Sequence, residues 1–287
     1  MHSRENLHGI VAMLVAVLAF SAMDAQLKLL AAHYPPLQVS FLRAIASLPF
    51  VLLPILARGR IARLRPVNVP LHLLRGVISV LMLSSFIYAV REGSLAATYS
   101  IFMFAPLLVA GFSARWLGER VDRPQWIAIS VGFAGVLLMI APWGGRWASA
   151  GALAAGVAVL AYAVSVVSLR VLSRTDTTES MVFWFTALLA LGSGLLSVPA
   201  WAPVRVDHAP LLVGVGVTGA LAQHFITEAF RRAPASVVAP FEYSALLWGA
   251  LLDLAIWGVL PEAVTVVGGA VVIGAGLYLM SRERRPG

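Results

Sequence analysis

Asp24 and Lys28 stand four residues apart inside an apolar run, FSAMDAQLKLL, and on a helix that spacing puts an acid and a base on one face. Two chemistries fit. The pair can neutralise itself near the membrane surface, with Lys28 reaching for water, or line a cavity and hold the opposite charges of a zwitterionic or charged solute. Arg43, about six residues into the next apolar run, lies too deep for comfortable exposure to lipid, and either bonds Asp24 or reaches solute. Gln223, His224 and Glu228 form a further group, with His224 and Glu228 on one helical face. Because histidine titrates near neutrality, the two can pass on a proton; alternatively Glu228 sits beside Arg231 and Arg232 at the membrane edge, with His224 hydrogen-bonded in a bundle. Glu242 and Tyr243 follow Pro240, which removes a backbone hydrogen bond and leaves carbonyls free. Either they line a cavity or Glu242 makes a structural bond, and Asp253 is read the same way. Arg75, four residues into its run, is expected to snorkel to the headgroups.

Aromatic residues widen the candidate set. Tyr88, Tyr99, Phe102, Phe104, Tyr162, Trp184 and Trp248 can stack on a planar solute, although most aromatics in such a setting pack or anchor at the interface. The residues expected to contact substrate are thus Asp24, Lys28, Arg43, Tyr88, Tyr99, Phe102, Tyr162, Trp184, Gln223, Glu242 and Tyr243, with His224 and Glu228 as candidates for proton coupling. No metal, cofactor or catalytic set is expected. The chain has no cysteine and six scattered histidines, which leaves no Cys-ligated zinc or thiol nucleophile. It lacks a GxxxxGK[ST] loop, so it should not hydrolyse ATP. A membrane-embedded enzyme, the rival class, would need convergent acids, bases or metal ligands, for which His224 and Glu228 are the single weak candidate.

These residues need helices that tolerate lipid. The chain of 287 residues is 60% hydrophobic and 12% charged, with a mean hydropathy of +0.88. That leaves no segment able to face water along its length. Ten apolar runs, at 8–31, 37–57, 71–90, 95–116, 124–141, 149–172, 179–199, 210–230, 235–257 and 262–280, have the length a bilayer requires. The net charge of +8 resembles that of a nucleic-acid binder, but the arginines gather at run ends without a basic face, so no nucleic acid is expected. With the N-terminus inside, fifteen Lys and Arg fall in inner connections and three, Arg91, Arg146 and Arg205, in outer ones. The positive-inside rule then puts both termini in the cytoplasm of a bacterial-type inner membrane. The connection ARGRIARLRPVNVP, residues 57–70, reads as a loop lying on anionic lipid.

A long repeat organises the whole. Ala96 to Met139 is echoed by Ala235 to Met280, an offset of 139 to 141 residues. Two units follow, residues 1–145 and 146–287. Since each holds five spans, an odd number, the second must enter the membrane from the opposite side, giving two inverted five-helix repeats.

The small-residue start and proline of Ala96 to Pro106, the Gly118-Glu119 turn followed by Gly132 and Gly135, and the second-half segments APASVVAPFEYSALLWGALL and WGVLPE resemble the drug/metabolite transporter superfamily, and within it the EamA-type ten-helix permeases. The resemblance covers essentially the whole chain, with one departure: Val259 follows Gly258 where Glu119 follows Gly118. Glu119 is read as structural, an acid near a positive helix N-terminus. The resemblance implies an all-α polytopic membrane protein that moves a small organic metabolite by alternating access. It also implies that spans 3, 4, 8 and 9 rock around a central cavity. An amino acid or related zwitterion exporter is the leading expectation, and an uptake permease for riboflavin or S-adenosylmethionine the alternative. Expected partners are the solute, membrane lipid and protons as a coupling ion, for a monomer or homodimer.

Overall fold

The computed structural model describes residues 2–117, 123–140, 149–172, 174–232 and 239–283. Its helices are α1 (His2–Ala31), α2 (Pro36–Ala57), α3 (Val69–Glu92), α4 (Leu95–Phe102), α5 (Ala105–Leu117), α6 (Arg123–Ile140), α7 (Ala150–Leu172), α8 (Thr178–Ser197), α9 (Ala209–Arg232), α10 (Ser244–Leu252) and α11 (Ala263–Glu283). Six of these are long and apolar enough to cross a membrane, among them Leu7–Ala31, Val69–Glu92 and Glu179–Ala200. No strand occurs among the described residues, and the protein is an all-α polytopic membrane protein. Helices suit this setting because they satisfy their own backbone polar groups where no water can.

Helix starts are written locally. Asn68 caps α3 by accepting from Leu71 N–H at 3.3 Å. Ser94 caps α4 through Ala97 N–H, and Thr177 caps α8 through Ser180 N–H. In each case a short polar side chain takes up an amide that the helix cannot satisfy.

Two expected spans are not continuous. The run at 95–116 is α4 and α5, separated at Met103 and Phe104. Pro106 cannot donate to the carbonyl four residues back and disfavours helical geometry just before it. From Ala239 onward, the run at 235–257 is a 3-10 turn (Ala239–Tyr243), then α10, then a π turn (Asp253–Trp257). It ends at Gly258, whose φ of 67° suits glycine. The break at Met103 and the switch at Tyr243 are 140 positions apart, within the offset of the sequence repeat.

In the packing, α1 lies along α9, α3 along α7, α2 along α8, and α6 along α11, while α4 crosses α10. The main core joins Leu27, Leu30, Val39, Leu83, Ile87 and Leu189 from four helices. Lipid is as apolar as these side chains, so close fit rather than escape from water holds the helices. Outward faces carry Val77, Leu53, Leu191 and Val213, each at least 59% exposed in the isolated chain, as a lipid-facing surface should.

The 57–70 connection does not simply rest on lipid. It forms a 3-10 turn (Ile61–Leu64) clasped to the turn between α7 and α8. Asp176 accepts from Val67 N–H at 2.7 Å, Asn68 N–H at 3.3 Å, Thr175 Oγ1 at 2.7 Å and the His72 ring at 2.9 Å. Thr177 and Trp184 donate to the carbonyls of Arg63 and Leu64. Burial raises the Asp176 carboxyl, but hydrogen bonds from Val67, His72, Thr175 and Asn68 outweigh it and hold the group at about 2, below its ordinary 3.8. A depressed carboxyl contributes stability above the unfolded value, lost as pH falls through the folded one. Asp176→Ala should lower the thermal midpoint in detergent at pH 7, each orphaned buried donor costing about 1–3 kcal/mol. The difference from wild type should shrink as pH falls from about 3.8 towards 2; equal midpoints at pH 7 would remove the clasp from the account.

Candidate functional site

Asp24 and Lys28 share a face of α1 but do not pair with each other. Asp24, 9% exposed, accepts a 2.7 Å hydrogen bond at Oδ2 from the Tyr99 hydroxyl of α4. The Tyr99 ring is held by Phe86 of α3, stacked at 6.4 Å between centroids, and by Gly249 of α10, which leaves space for it: a Cβ there would lie 2.6 Å from Tyr99 Cδ2. Ser21, three residues before Asp24, has a buried hydroxyl that makes no hydrogen bond within 3.5 Å but is close enough to act on the Tyr99 hydroxyl. Arg43 of α2 is near enough for its charge to act on Asp24, yet no ion pair within 4.0 Å joins them among the described residues. Its Nε–H donates instead to Met23 Sδ at 3.4 Å. A carboxylate and a guanidinium thus face one region without neutralising each other in contact.

A second tier lies along the break in the ninth span. Glu242, in the 3-10 turn, makes no hydrogen bond among the described residues, and its charge acts on the hydroxyls of Tyr162 and Tyr243. Tyr162 of α7 tilts against Phe102 at 6.1 Å, and Phe102 meets Phe86 edge-on at 5.3 Å. The Tyr243 hydroxyl and Trp248 Nε1 are buried without partners. Unsatisfied buried polar atoms are costly in hydrocarbon, and the Tyr243 hydroxyl is one that lies within reach of the Glu242 charge.

Lys28 turns the other way. Its Nζ donates to Asp253 Oδ1 at 3.1 Å and lies 4.2 Å from the centroid of the Trp257 ring. Asp253 Oδ2 accepts from Ala96 N–H at 2.9 Å, in the first turn of α4, where a carboxylate also meets the positive end of the helix. One carboxylate, 1% exposed, therefore ties the end of α1, the start of α4 and the end of α10. Lys28 does not snorkel.

The other candidates lie elsewhere. Trp184 is part of the clasp, donating to Leu64 O at 2.8 Å. Tyr88 shares the α3 stripe of exposed Val77 and Leu81. Gln223 and His224 are exposed, and His224 falls on the α9 stripe of exposed Val213, Val217 and Leu221, facing away from the cluster. The Glu228 side chain and the Glu119 turn lie outside the described residues. Arg75 does not snorkel; it is 7% exposed and inside the bundle. Among the described residues, no group of three or more His, Cys, Asp or Glu is placed to hold a metal. Sequence reasoning missed Ser21 and the role of Asp253. Ser21 was findable, being three residues from Asp24 on the same helical face, whereas the reach of Asp253 to Ala96 is a tertiary contact with no local signal.

The lock generates a stability test. Asp253→Leu alone strands a buried ammonium and should destabilise the protein by about 3–5 kcal/mol, while Asp253→Leu with Lys28→Met should recover most of that loss. Equal thermal midpoints for the single and double variants in detergent would exclude the coupling.

Comparison with known proteins supplies the remaining link. Residues 7–141 match the EamA-like transporter family. The pseudopaline exporter CntI of Pseudomonas aeruginosa is 29% identical over 96% of this chain and 97% of its own. A riboflavin transporter of Vibrio cholerae is 28% identical over 97% and 95%, and an S-adenosylmethionine uptake transporter of Rickettsia prowazekii 23% identical over 97% and 94%. A solved crystal structure shares the fold with a TM-score of 0.63 over 99% of both chains, at 23% identity. The first half of the chain thus matches the EamA-like transporter family, and relatives named as transporters match nearly its full length.

Proposed function

We propose that this transporter is a secondary carrier that exports a small zwitterionic metabolite, an amino acid or a related compound, across the inner membrane by alternating access. The observation that carries the reading is the pair Asp24 and Arg43: opposite charges held close in the bundle without an ion-pair contact. A solute with both an ammonium and a carboxylate can complete each, the ammonium at Asp24 and the carboxylate at Arg43, with charge-assisted hydrogen bonds on both sides. The relative named as a pseudopaline exporter supports the outward direction.

Alternating access draws support from packing symmetry. Exchange each span of the first half with its counterpart in the second: α1 against α9 becomes α7 against α3, while α2 with α8, α6 with α11 and α4 with α10 map onto themselves. This is the pattern expected of inverted repeats 1–145 and 146–287. The two broken spans occupy equivalent places in it, where such carriers put the solute site. With both termini cytoplasmic, as the arginine bias favours, the Lys28–Asp253 lock lies at the outer end. The bundle is then closed to the outside.

A second reading has its own observation. The rings of Phe86, Phe102 and Tyr162 form a continuous aromatic row beside Glu242, suited to a planar heterocycle. Uptake of riboflavin or S-adenosylmethionine, the compounds in the names of two relatives, fits that row. Protons are the candidate coupling ion in either case.

Proteoliposomes loaded with labelled amino acids, riboflavin or S-adenosylmethionine, with and without a pH gradient, separate the readings. Asp24→Asn and Glu242→Gln should each slow transport about tenfold or more, the scale of one charge-assisted hydrogen bond, with the folded fraction unchanged. Gly249→Ala should do the same by pushing the Tyr99 ring off Asp24. Full rates in all three variants would remove these residues from the path, and chemical conversion without translocation would point to an enzyme.

A further inference from the structure

Arg75 is a buried cation with no counter-charge among the described residues. It is 7% exposed, its Nε and Nη1 are buried without a hydrogen-bond partner, and its one described contact is the face of Phe185 on α8, 5.2 Å from the guanidinium carbon. Two other cations deep in the spans, Lys28 and Arg43, each have a described hydrogen bond, to Asp253 and to Met23. A cation–π contact is worth at most about 2 kcal/mol when desolvated, well short of the several kcal/mol that burying a guanidinium costs. Two of its donors are therefore left uncompensated within the chain.

Position says what kind of partner. Arg75 is six residues into α3, about 9 Å along its axis, and its face is opposite that of Leu73, Leu74, Val77 and Leu81, all at least 49% exposed. It therefore points into the bundle, not at the acyl chains. On the same stripe, at i+4 and i+11, stand Ser79, fully buried, and Phe86, and Phe86 stacks on the Tyr99 that holds Asp24. The stripe leads from one end of α3 to the candidate site.

We infer that Arg75 is an oxyanion-binding residue on the solute path, taking a carboxylate or phosphate group of the solute some 16 Å along α3 from Phe86. The planar fork of arginine matches either oxyanion through two N–H donors. This rests on the reading of the bundle as a solute path, and it adds a second anion contact distinct from Arg43. In the topology with cytoplasmic termini, Arg75 meets the solute before Asp24 and Arg43 do, and selects for an anionic group at that entrance. A lipid phosphate offers the same chemistry, so the source must be tested.

The full chain in nanodiscs of phosphatidylcholine and phosphatidylethanolamine is titrated with succinate and with inorganic phosphate, and its thermal unfolding followed. The wild type should gain roughly 3 °C at tenfold excess over the dissociation constant. Arg75→Gln should lose that response while its own midpoint stays level or rises, because an unpartnered buried charge is gone; a merely structural arginine would instead lower it. Arg75→Lys should need about tenfold more anion, since it keeps the charge but not the fork, and it serves if the Gln variant does not fold. Stabilisation by phosphatidylglycerol alone, lost in Arg75→Gln, would keep the oxyanion site and make lipid its source. No response to any anion, or one lost in Arg43→Gln and kept in Arg75→Gln, overturns the inference. Binding is read without transport, so a failure here leaves the carrier reading standing, and a failure of transport leaves this one.

Discussion

Asp253 joins three helices through two oxygens, one taking the Lys28 ammonium and the other the amide that opens α4. In hydrocarbon an unpaired charge or amide is costly, so this one side chain fixes where α1, α4 and the end of α10 can sit. It also commits Lys28. Had Lys28 paired with Asp24, four residues away on its own helix, the two charges would have cancelled, leaving nothing for a solute. Because the lysine turns to Asp253, Asp24 is left to Tyr99, and the bundle keeps an acid available beside Arg43.

The broken spans serve the same arrangement from opposite ends. Pro106 interrupts one helix after Phe102, and the 3-10 turn around Glu242 interrupts its counterpart. A continuous helix at either place would carry its side chains past the centre at a fixed pitch. Before the first break Phe102 meets Tyr162, on whose hydroxyl the Glu242 charge acts, and Gly249 lets α10 come close enough to hold the Tyr99 ring. Function as a carrier asks that this region be reached from either side, and the self-mapping packing of the two halves describes how an inverted partner set would provide the second route.

Much of this was legible in the sequence. Hydropathy placed the long helices within a few residues, because a bilayer sets their length and composition together. Asp24, Arg43, Tyr99, Phe102, Tyr162, Glu242 and Tyr243 were all identified as polar or aromatic groups inside apolar runs, and the fold draws them into two neighbouring tiers. What the sequence could not convey was pairing. The i, i+4 rule favoured Asp24 with Lys28, but a tertiary partner 225 positions away took the lysine. Nearness to a helix end points Arg75 to the headgroups, although its face, opposite Leu73 and Val77, is turned inward. The Trp184 ring suits a solute site by type, whereas its indole N–H is committed to the Leu64 carbonyl.

On the carrier reading, the region around Asp24 opens alternately to the two sides of the membrane, with the Lys28–Asp253 lock closing one of them. The absence of native cysteine makes a direct measurement simple: Ser21→Cys places one thiol beside Tyr99, and a membrane-impermeant thiol reagent is applied from each face of oriented vesicles. The account predicts labelling from the cytoplasmic face while the lock is intact, and a gain of labelling from the outer face when Asp253→Asn weakens it. Reaction from neither face, or from the same single face with and without the lock, would contradict it.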